Sequence, residues 1–205
     1  TPLTSIYGAC STVIENYDSL DKEKTIKLLG EACSDAQWLT RMVENLLSVT
    51  RIDSEKVTVQ KTPTVLDELL DTVLVKFRKR YPEIPVELET PDAFIVIPMD
   101  SMLIQQVLMN LLSNAAKFTP SGEIHFGYQL RGNVVQFYVK DTGIGIPANR
   151  VAKIFERFGK INNFAQGTGL GLTVSRMLVE RMGGRIWVRS GEGIGTTFYF
   201  TLPMT

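Results

Sequence analysis

Apolar positions recur along this chain with two different periods. From residue 21 to 52 they follow a helical repeat: Leu29, Ala36 and Val43 make one seven-residue series, and Ala32, Leu39 and Leu46 another, which is the seam of a helical bundle. Residues 1–17 predict a shorter helix with Pro2 in its first turn, where a missing N–H costs nothing, and Asp18-Ser19 separates the two. Leu28, Met42, Leu47 and Val49 widen the stripe beyond what one short helix covers. The surplus predicts that a second copy completes a dimeric four-helix bundle.

The pattern changes after the polar joint at residues 51–56, which divides the chain into 1–53 and 54–205. Strands are expected at 57–60, 86–89 and 94–97, and a helix at 65–79 that stops before Pro82. A second helix runs from the N-cap Asp100 to residue 118. A hairpin follows, 123–130 with 134–140, turning through Arg131-Gly132-Asn133. Short helices at 149–156 and 169–182 and strands at 185–189 and 196–202 complete the pattern. Strands and hairpins mixed with helices give an α+β class, a mostly antiparallel sheet with helices on one face.

Within the 100–118 helix, Asn110, Asn114 and Lys117 share one face, while Val107, Leu108, Leu111, Leu112 and Ala115 supply the opposite, apolar one. Asparagine is a mediocre helix former, so two at this spacing beside a cation call for a function. An amide oxygen such as that of Asn114 is a proper ligand for Mg²⁺, which needs few protein groups, and Lys117 is a point charge suited to phosphate oxygens. Further on, Asp141 ends an apolar strand and is followed by Gly143 and Gly145, which let the backbone turn tightly beside a ligand. Gly167-Thr168-Gly169-Leu170-Gly171 opens a helix, where backbone N–H groups and the positive helix end suit phosphate. Between the two loops, Phe155 and Phe158 bound a polar stretch containing Lys160 that reads as a lid. Either Thr196 or Thr197 is placed to support Asp141.

The 205 residues carry 22 basic and 22 acidic side chains, so no global field argues for nucleic acid or an anionic membrane. Cys10 and Cys33 form no disulfide framework and suit a reducing, cytoplasmic compartment. No apolar run reaches the roughly 20 residues that span a bilayer. His125, the only histidine, sits in a predicted strand and reads as an ordinary sheet-face residue. The start at Thr1 without a methionine reads as a piece of a longer protein.

Taken in order, Asn110 to Lys117, Asp141 to Gly145, Phe155 to Phe158, Gly167 to Gly171 and Gly191 to Gly195 resemble the N, G1, F, G2 and G3 boxes of sensor histidine kinases of two-component systems. Thr1-Pro2-Leu3 resembles the end of their H box. The resemblance implies a dimerisation and histidine-phosphotransfer hairpin over 1–53, followed over 54–205 by an ATP-binding sandwich of the GHKL or Bergerat type. It implies ATP and Mg²⁺ as cofactors, with Asn114 as the metal ligand. Asn110 and Lys117 fall at phosphate or its metal shell, Phe118 at the adenine ring and Asp141 at its amine; Lys160 falls at the γ-phosphate and Gly167 to Gly171 at the phosphate loop. It places the phospho-accepting histidine four residues before Thr1, outside this chain, and gives Thr1 a phosphatase role toward a response-regulator receiver domain. Any membrane attachment would lie in regions preceding the chain. Two other readings are an ATPase or clamp of the same superfamily and a non-catalytic dimerisation module. The superfamily's hydrolases use a glutamate where this chain has Asn110, which cannot serve as a base.

Overall fold

The two opening patterns fold as helices α1 (Pro2–Glu15) and α2 (Lys22–Asp53), packed against each other in the computed structural model. The structure describes residues 2–53, 58–91, 93–156 and 170–205, with the backbone alone for 41, 42 and 44–53. Asp21 starts α2 by accepting the Lys24 N–H at 2.7 Å. The pair buries little by itself. Tyr7 and Ile14 of α1 are each 75% exposed, and Ile26 and Leu29 of α2 are 60% and 43% exposed.

The rest of the described chain is a sheet with helices on one face. Strand β1 (Thr62–Val65) precedes α3 (Leu66–Arg80), β2 (Val86–Glu89) and β3 (Val96–Met99). Helix α4 (Ser101–Phe118) leads to the hairpin of β4 (Ile124–Arg131) and β5 (Val134–Asp141). After α5 (Ala148–Val151) come α6 (Gly171–Arg181), β6 (Arg185–Gly191) and β7 (Gly195–Pro203). The main sheet has the order β2-β4-β5-β7-β6, antiparallel except for the parallel β2–β4 pair. The α+β class and the helix-covered sandwich are as the sequence predicts.

Three details differ. Residues 58–60 are not a strand; the first strand is β1, which forms a separate two-stranded ribbon with β3. Pro63 stands opposite Pro98 in that ribbon, a register in which neither missing N–H is needed. The expected strand at 94–97 moves two residues on to pair with it. The helix expected over 149–156 closes at Val151 and continues as turns.

Alternation on the pleat decides what faces the helices. Ile124, Phe126 and Tyr128 of β4, Val135, Phe137 and Val139 of β5, and Phe198, Phe200 and Leu202 of β7 form one core with α3, α4 and α6. Phe137 and Phe200 stack at 4.7 Å between ring centroids. Each fully buried side chain of this size contributes about 1.5–3 kcal/mol. Tyr128 reaches the top of this core and donates its hydroxyl to Asp67 of α3 at 2.8 Å.

On the other face, His125 is enclosed by carboxylates. Its Nδ1 lies 2.8 Å from Glu89 and 3.5 Å from Glu87, and its Nε2 lies 3.1 Å from Glu123. The Glu123 contact, with help from Glu89, raises the imidazole pKa above its ordinary value. The Tyr138 hydroxyl, with His125, lowers that of Glu89. A raised histidine gives stability that is complete below the free value of 6.5 and fades as pH climbs through the folded one; a lowered glutamate gives stability that is complete above 4.5 and fades on acidification. Both act together between these values. We expect His125→Gln to destabilise the fold by up to about 1 kcal/mol at pH 5.5 and by less at pH 9, read from urea unfolding; a loss equal at both pH values would assign it to packing instead of charge.

Candidate functional site

Helix α4 carries the polar face read from the sequence, and its start is fixed by Asp100. That side chain caps the helix by accepting the Leu103 N–H at 3.1 Å and also holds the Gln60 N–H at 2.9 Å, which ties the chain entering this region to the helix. Further along α4, the Asn110 amide nitrogen donates to the Ser175 hydroxyl of α6 at 2.7 Å. Ser175 is 1% exposed. The rest of the Asn110 side chain lies against Gly171, where an added Cβ would meet Asn110 Cγ at 3.1 Å and its amide oxygen closer still. Asn114, a turn later, is half-buried, and its side chain makes no hydrogen bond among the described residues. Lys117 is exposed, with its ammonium 4.8 Å from the centre of the half-buried Phe118 ring.

Asp141, at the end of β5, is 5% exposed. One of its oxygens, Oδ1, accepts two backbone N–H groups, from Gly143 at 2.9 Å and from Thr196 at 3.2 Å. No hydrogen bond among the described residues reaches Oδ2. Burial raises the carboxyl pKa, and the two N–H groups act against that shift. The choice left open between the two threonines is thereby made: Thr196 pairs with Asp141 and faces inward, whereas Thr197 pairs with Lys140 on the opposite face.

The loop after Asp141 is clamped on both sides. The Ile144 N–H donates to the Phe118 carbonyl at 3.0 Å, and the Gly193 N–H donates to the Ile144 carbonyl at 2.8 Å. Gly145 has φ +70° and lies against the Gly191 carbonyl, a position that only a residue without Cβ occupies without strain. Ser190 joins the parts together: its hydroxyl takes the Ile146 N–H at 2.8 Å, meets Gly195 O at 2.9 Å and lies 2.9 Å from the Thr196 hydroxyl. The Thr119 hydroxyl, at the end of α4, is buried with no hydrogen-bond partner among the described residues.

Leu170 is buried and its carbonyl accepts the Val174 N–H at 2.8 Å, so α6 begins at Gly171 as a hydrogen-bonded helix. The Thr173 hydroxyl bonds the carbonyls of Phe155 and Glu156, which holds α6 to the chain after α5. Two groups of expected residues are therefore brought together: Asn110 with Gly171, and Asp141, Gly143 and Gly145 with the end of α4 at Phe118. Thr1, Phe158, Lys160, Gly167, Thr168 and Gly169 lie outside the described residues. Ser175 and Ser190 were not singled out in the sequence. A serine on the inward face of an apolar helix is the one signal that Ser175 offered.

The donor set suits a hard cation that keeps most of its water. Among the described residues no three of His, Cys, Asp or Glu converge as a metal cage. One unbonded amide oxygen, at Asn114, beside a cation is the kind of sparse ligation that Mg²⁺ takes when phosphates complete its shell. No helix among the described residues is long and apolar enough to cross a membrane.

Comparison with known proteins points to an ATPase family. The model of the histidine kinase-, DNA gyrase B-, and HSP90-like ATPases matches residues 99–205. The chain is 36% identical to the sensor protein KdpD of Clostridium acetobutylicum, over 99% of this chain and 23% of that protein. It is 33% identical to the sensor histidine kinase AtsR of Burkholderia thailandensis, over 100% of this chain and 35% of that protein. The chain thus spans only a quarter to a third of these relatives. Among solved structures, histidine kinase ThkA, in complex with response regulator protein TrrA, superposes with a TM-score of 0.78 at 27% identity, over 100% of this chain and 58% of that one.

The Asn110–Ser175 bond is open to a direct test. Ser175→Ala leaves the amide donor of Asn110 without its acceptor between two packed helices, at an expected cost of about 1–2 kcal/mol in urea unfolding. A change under about 0.3 kcal/mol would mean that water replaces the serine without loss.

Proposed function

This chain belongs to the histidine kinase-, DNA gyrase B- and HSP90-like ATPase family, as an ATP-binding domain of the sensor histidine kinase type, and on that premise we propose that it binds Mg²⁺-ATP and passes the γ-phosphate to a histidine. The observation that carries this reading is the division of labour on Asp141. Its Oδ1 is held by two backbone donors and its Oδ2 is left to accept from an adenine amine. Phe118, at the end of α4 beside the same loop, supplies a ring for the base. Asn114 and Lys117 continue the polar face toward the phosphates, Asn114 as ligand to the metal and Lys117 as counter-charge. Bound there, Mg²⁺ neutralises charge on the phosphate oxygens.

Asn110 supports transfer over hydrolysis. An amide cannot activate water as a base, and here its N–H is engaged by Ser175, which points its oxygen toward Gly171 and the start of α6. The protein's part is then positioning and charge compensation, with the terminal phosphate left accessible to an attacking imidazole. Roles for Lys160 at the γ-phosphate and for Gly167, Thr168, Gly169 and Leu170 at the phosphate loop are proposed from the resemblance.

Residues 1–53 are proposed as the dimerisation and phosphotransfer hairpin and residues 54–205 as the catalytic unit. The exposed apolar side chains of α1 and α2 support a homodimer closing a four-helix bundle. Thr1 is proposed to act on a receiver domain. ThkA was solved with such a regulator, and a response regulator is the proposed partner here.

Asn114→Ala is expected to weaken Mg²⁺-dependent ATP binding at least about tenfold in calorimetry while leaving the fold intact, since no core is opened. Asp141→Asn keeps an oxygen for the Gly143 and Thr196 N–H groups but turns a donor toward the base. Because burial makes the ionised carboxylate costly above its folded pKa, this variant should match or exceed the parent in stability at pH 7 while losing ATP. ATP binding unchanged in both variants would remove the assignment of this site. For the bundle, sedimentation should show a dimer, and Leu39→Asp with Leu46→Asp should give a monomer, because each buried charge costs several kcal/mol.

A further inference from the structure

The face of the sheet turned away from the helices carries a pattern that nucleotide binding does not use. In register, Tyr138 of β5, Tyr199 of β7 and Trp187 of β6 lie in one line across three strands. The Trp187 and Tyr199 rings stack at 5.4 Å with 13° between their planes. Tyr138 extends the line the other way and donates its hydroxyl to Glu89 of β2. Gly127 of β4 stands opposite Tyr138 and is what lets that ring cross the strand: a Cβ there would lie 3.0 Å from the Tyr138 hydroxyl and collide with the Glu89 carbonyl. The Tyr138 end of the row is thus accommodated by the backbone of β4.

Cations flank the row. Lys140 and Arg189 stand one rung away on either side of Thr197, and the Arg189 guanidinium is 5.8 Å from the Tyr199 ring centre. Arg131 borders the far end and is held by Gln129 at 2.8 Å. Together they line an open groove of about 380 Å³. Its one carboxylate, Glu89, is already engaged, Oε1 with His125 and Oε2 with Tyr138. None of Arg131, Lys140 and Arg189 forms a salt bridge among the described residues. The chain as a whole is neutral and the acidic cluster around His125 lies on the same face, so the positive charge is confined to this groove.

An ordinary solvated sheet face carries scattered threonines, lysines and glutamates. A line of tryptophan and tyrosines bordered by arginines is instead the composition of binding hot spots. β4, β5, β7 and β6 run eight, eight, nine and seven residues. With neighbouring strands about 4.8 Å apart and about 3.3 Å per residue, the open face measures roughly 500 Å², the footprint of a weak or transient protein contact. Stacking of nucleic-acid bases needs vacant ring faces, and here the Tyr199 ring is occupied by Trp187 and Arg189.

We propose that this open sheet face is a docking surface for a protein partner presenting carboxylates beside an aromatic or apolar side chain, with Trp187 and Tyr199 as the anchor and Arg131, Lys140 and Arg189 as the anion contacts. The surface lies opposite α4 and is independent of the nucleotide site. Trp38→Phe leaves Trp187 as the sole tryptophan, so its fluorescence reports on the face directly. Titration of that protein with a random glutamate–tyrosine copolymer at 0.15 M salt should give a saturable change in Trp187 emission. Adding Arg131→Glu and Arg189→Glu should weaken it at least about tenfold with the far-ultraviolet circular dichroism and ATP affinity unchanged, whereas Lys27→Glu on α2 should not. No response of Trp187, or equal affinity in the double reversal, would overturn the proposal. Tighter binding of oligo(dT) than of the copolymer would overturn it in favour of a nucleic-acid surface.

Discussion

A carboxylate almost withdrawn from water, Asp141, is the constraint around which the site is organised. Its charge is tolerable only if donors meet it, and both donors are backbone groups that exist because of long-range structure. The Thr196 N–H is in place because β5 and β7 pair in one register, Asp141 opposite Thr196; the Gly143 N–H is in place because the chain turns back immediately after the strand. Slipping that register by one residue would send Thr196 to the far face and strand the charge. The turn is in turn locked to the end of α4 and to the β6–β7 connection, with Ser190 as the shared acceptor and donor. A rigid sheet thus fixes one oxygen of the carboxylate, and the other is presented without needing to be ordered by a ligand.

How much of this was legible in the sequence depended on how local each interaction is. The α4 boundaries and the Asp100 cap were readable because a helix cap and an amphipathic stripe are decided within a few residues. The inward choice of Thr196 over Thr197 was not, since alternation gives the period but strand pairing gives the phase. The first strand was misplaced because Pro63 argues against a strand unless its partner at the same level also needs no hydrogen bond, and Pro98 lies far along the chain. Ser175 was invisible for the same reason: its acceptor role appears only with Asn110, 65 residues away. The parallel pairing of β2 with β4 likewise follows from a crossover through β3 and α4 that no local pattern announces.

The same strands serve two purposes because their period is two. Phe198 and Phe200 send one face of β7 into the core, while Thr197 and Tyr199 belong to the solvent face. Substitutions on one face therefore need not disturb the other, provided the backbone register holds. Glu89, on the edge strand β2, marks the limit of that independence: it meets His125 of β4 and Tyr138 of the aromatic row, so the protonation of His125 is felt by the row through one carboxylate.

The Asn110–Ser175 tie bears on the chemistry itself. Two helices that approach across a reactive site can be joined by an ion pair, an apolar contact or a neutral hydrogen bond. An ion pair would place a fixed charge next to anionic phosphates, and an apolar contact would leave the Asn110 face without orientation. The neutral bond avoids both: the Asn110 amide nitrogen donates to Ser175, and the amide oxygen lies at the close approach with Gly171. An amide can orient a water but cannot take its proton. The proposed transfer to an imidazole requires this combination, since the attacking nitrogen brings its own lone pair and a base beside the phosphate would divert the reaction to water.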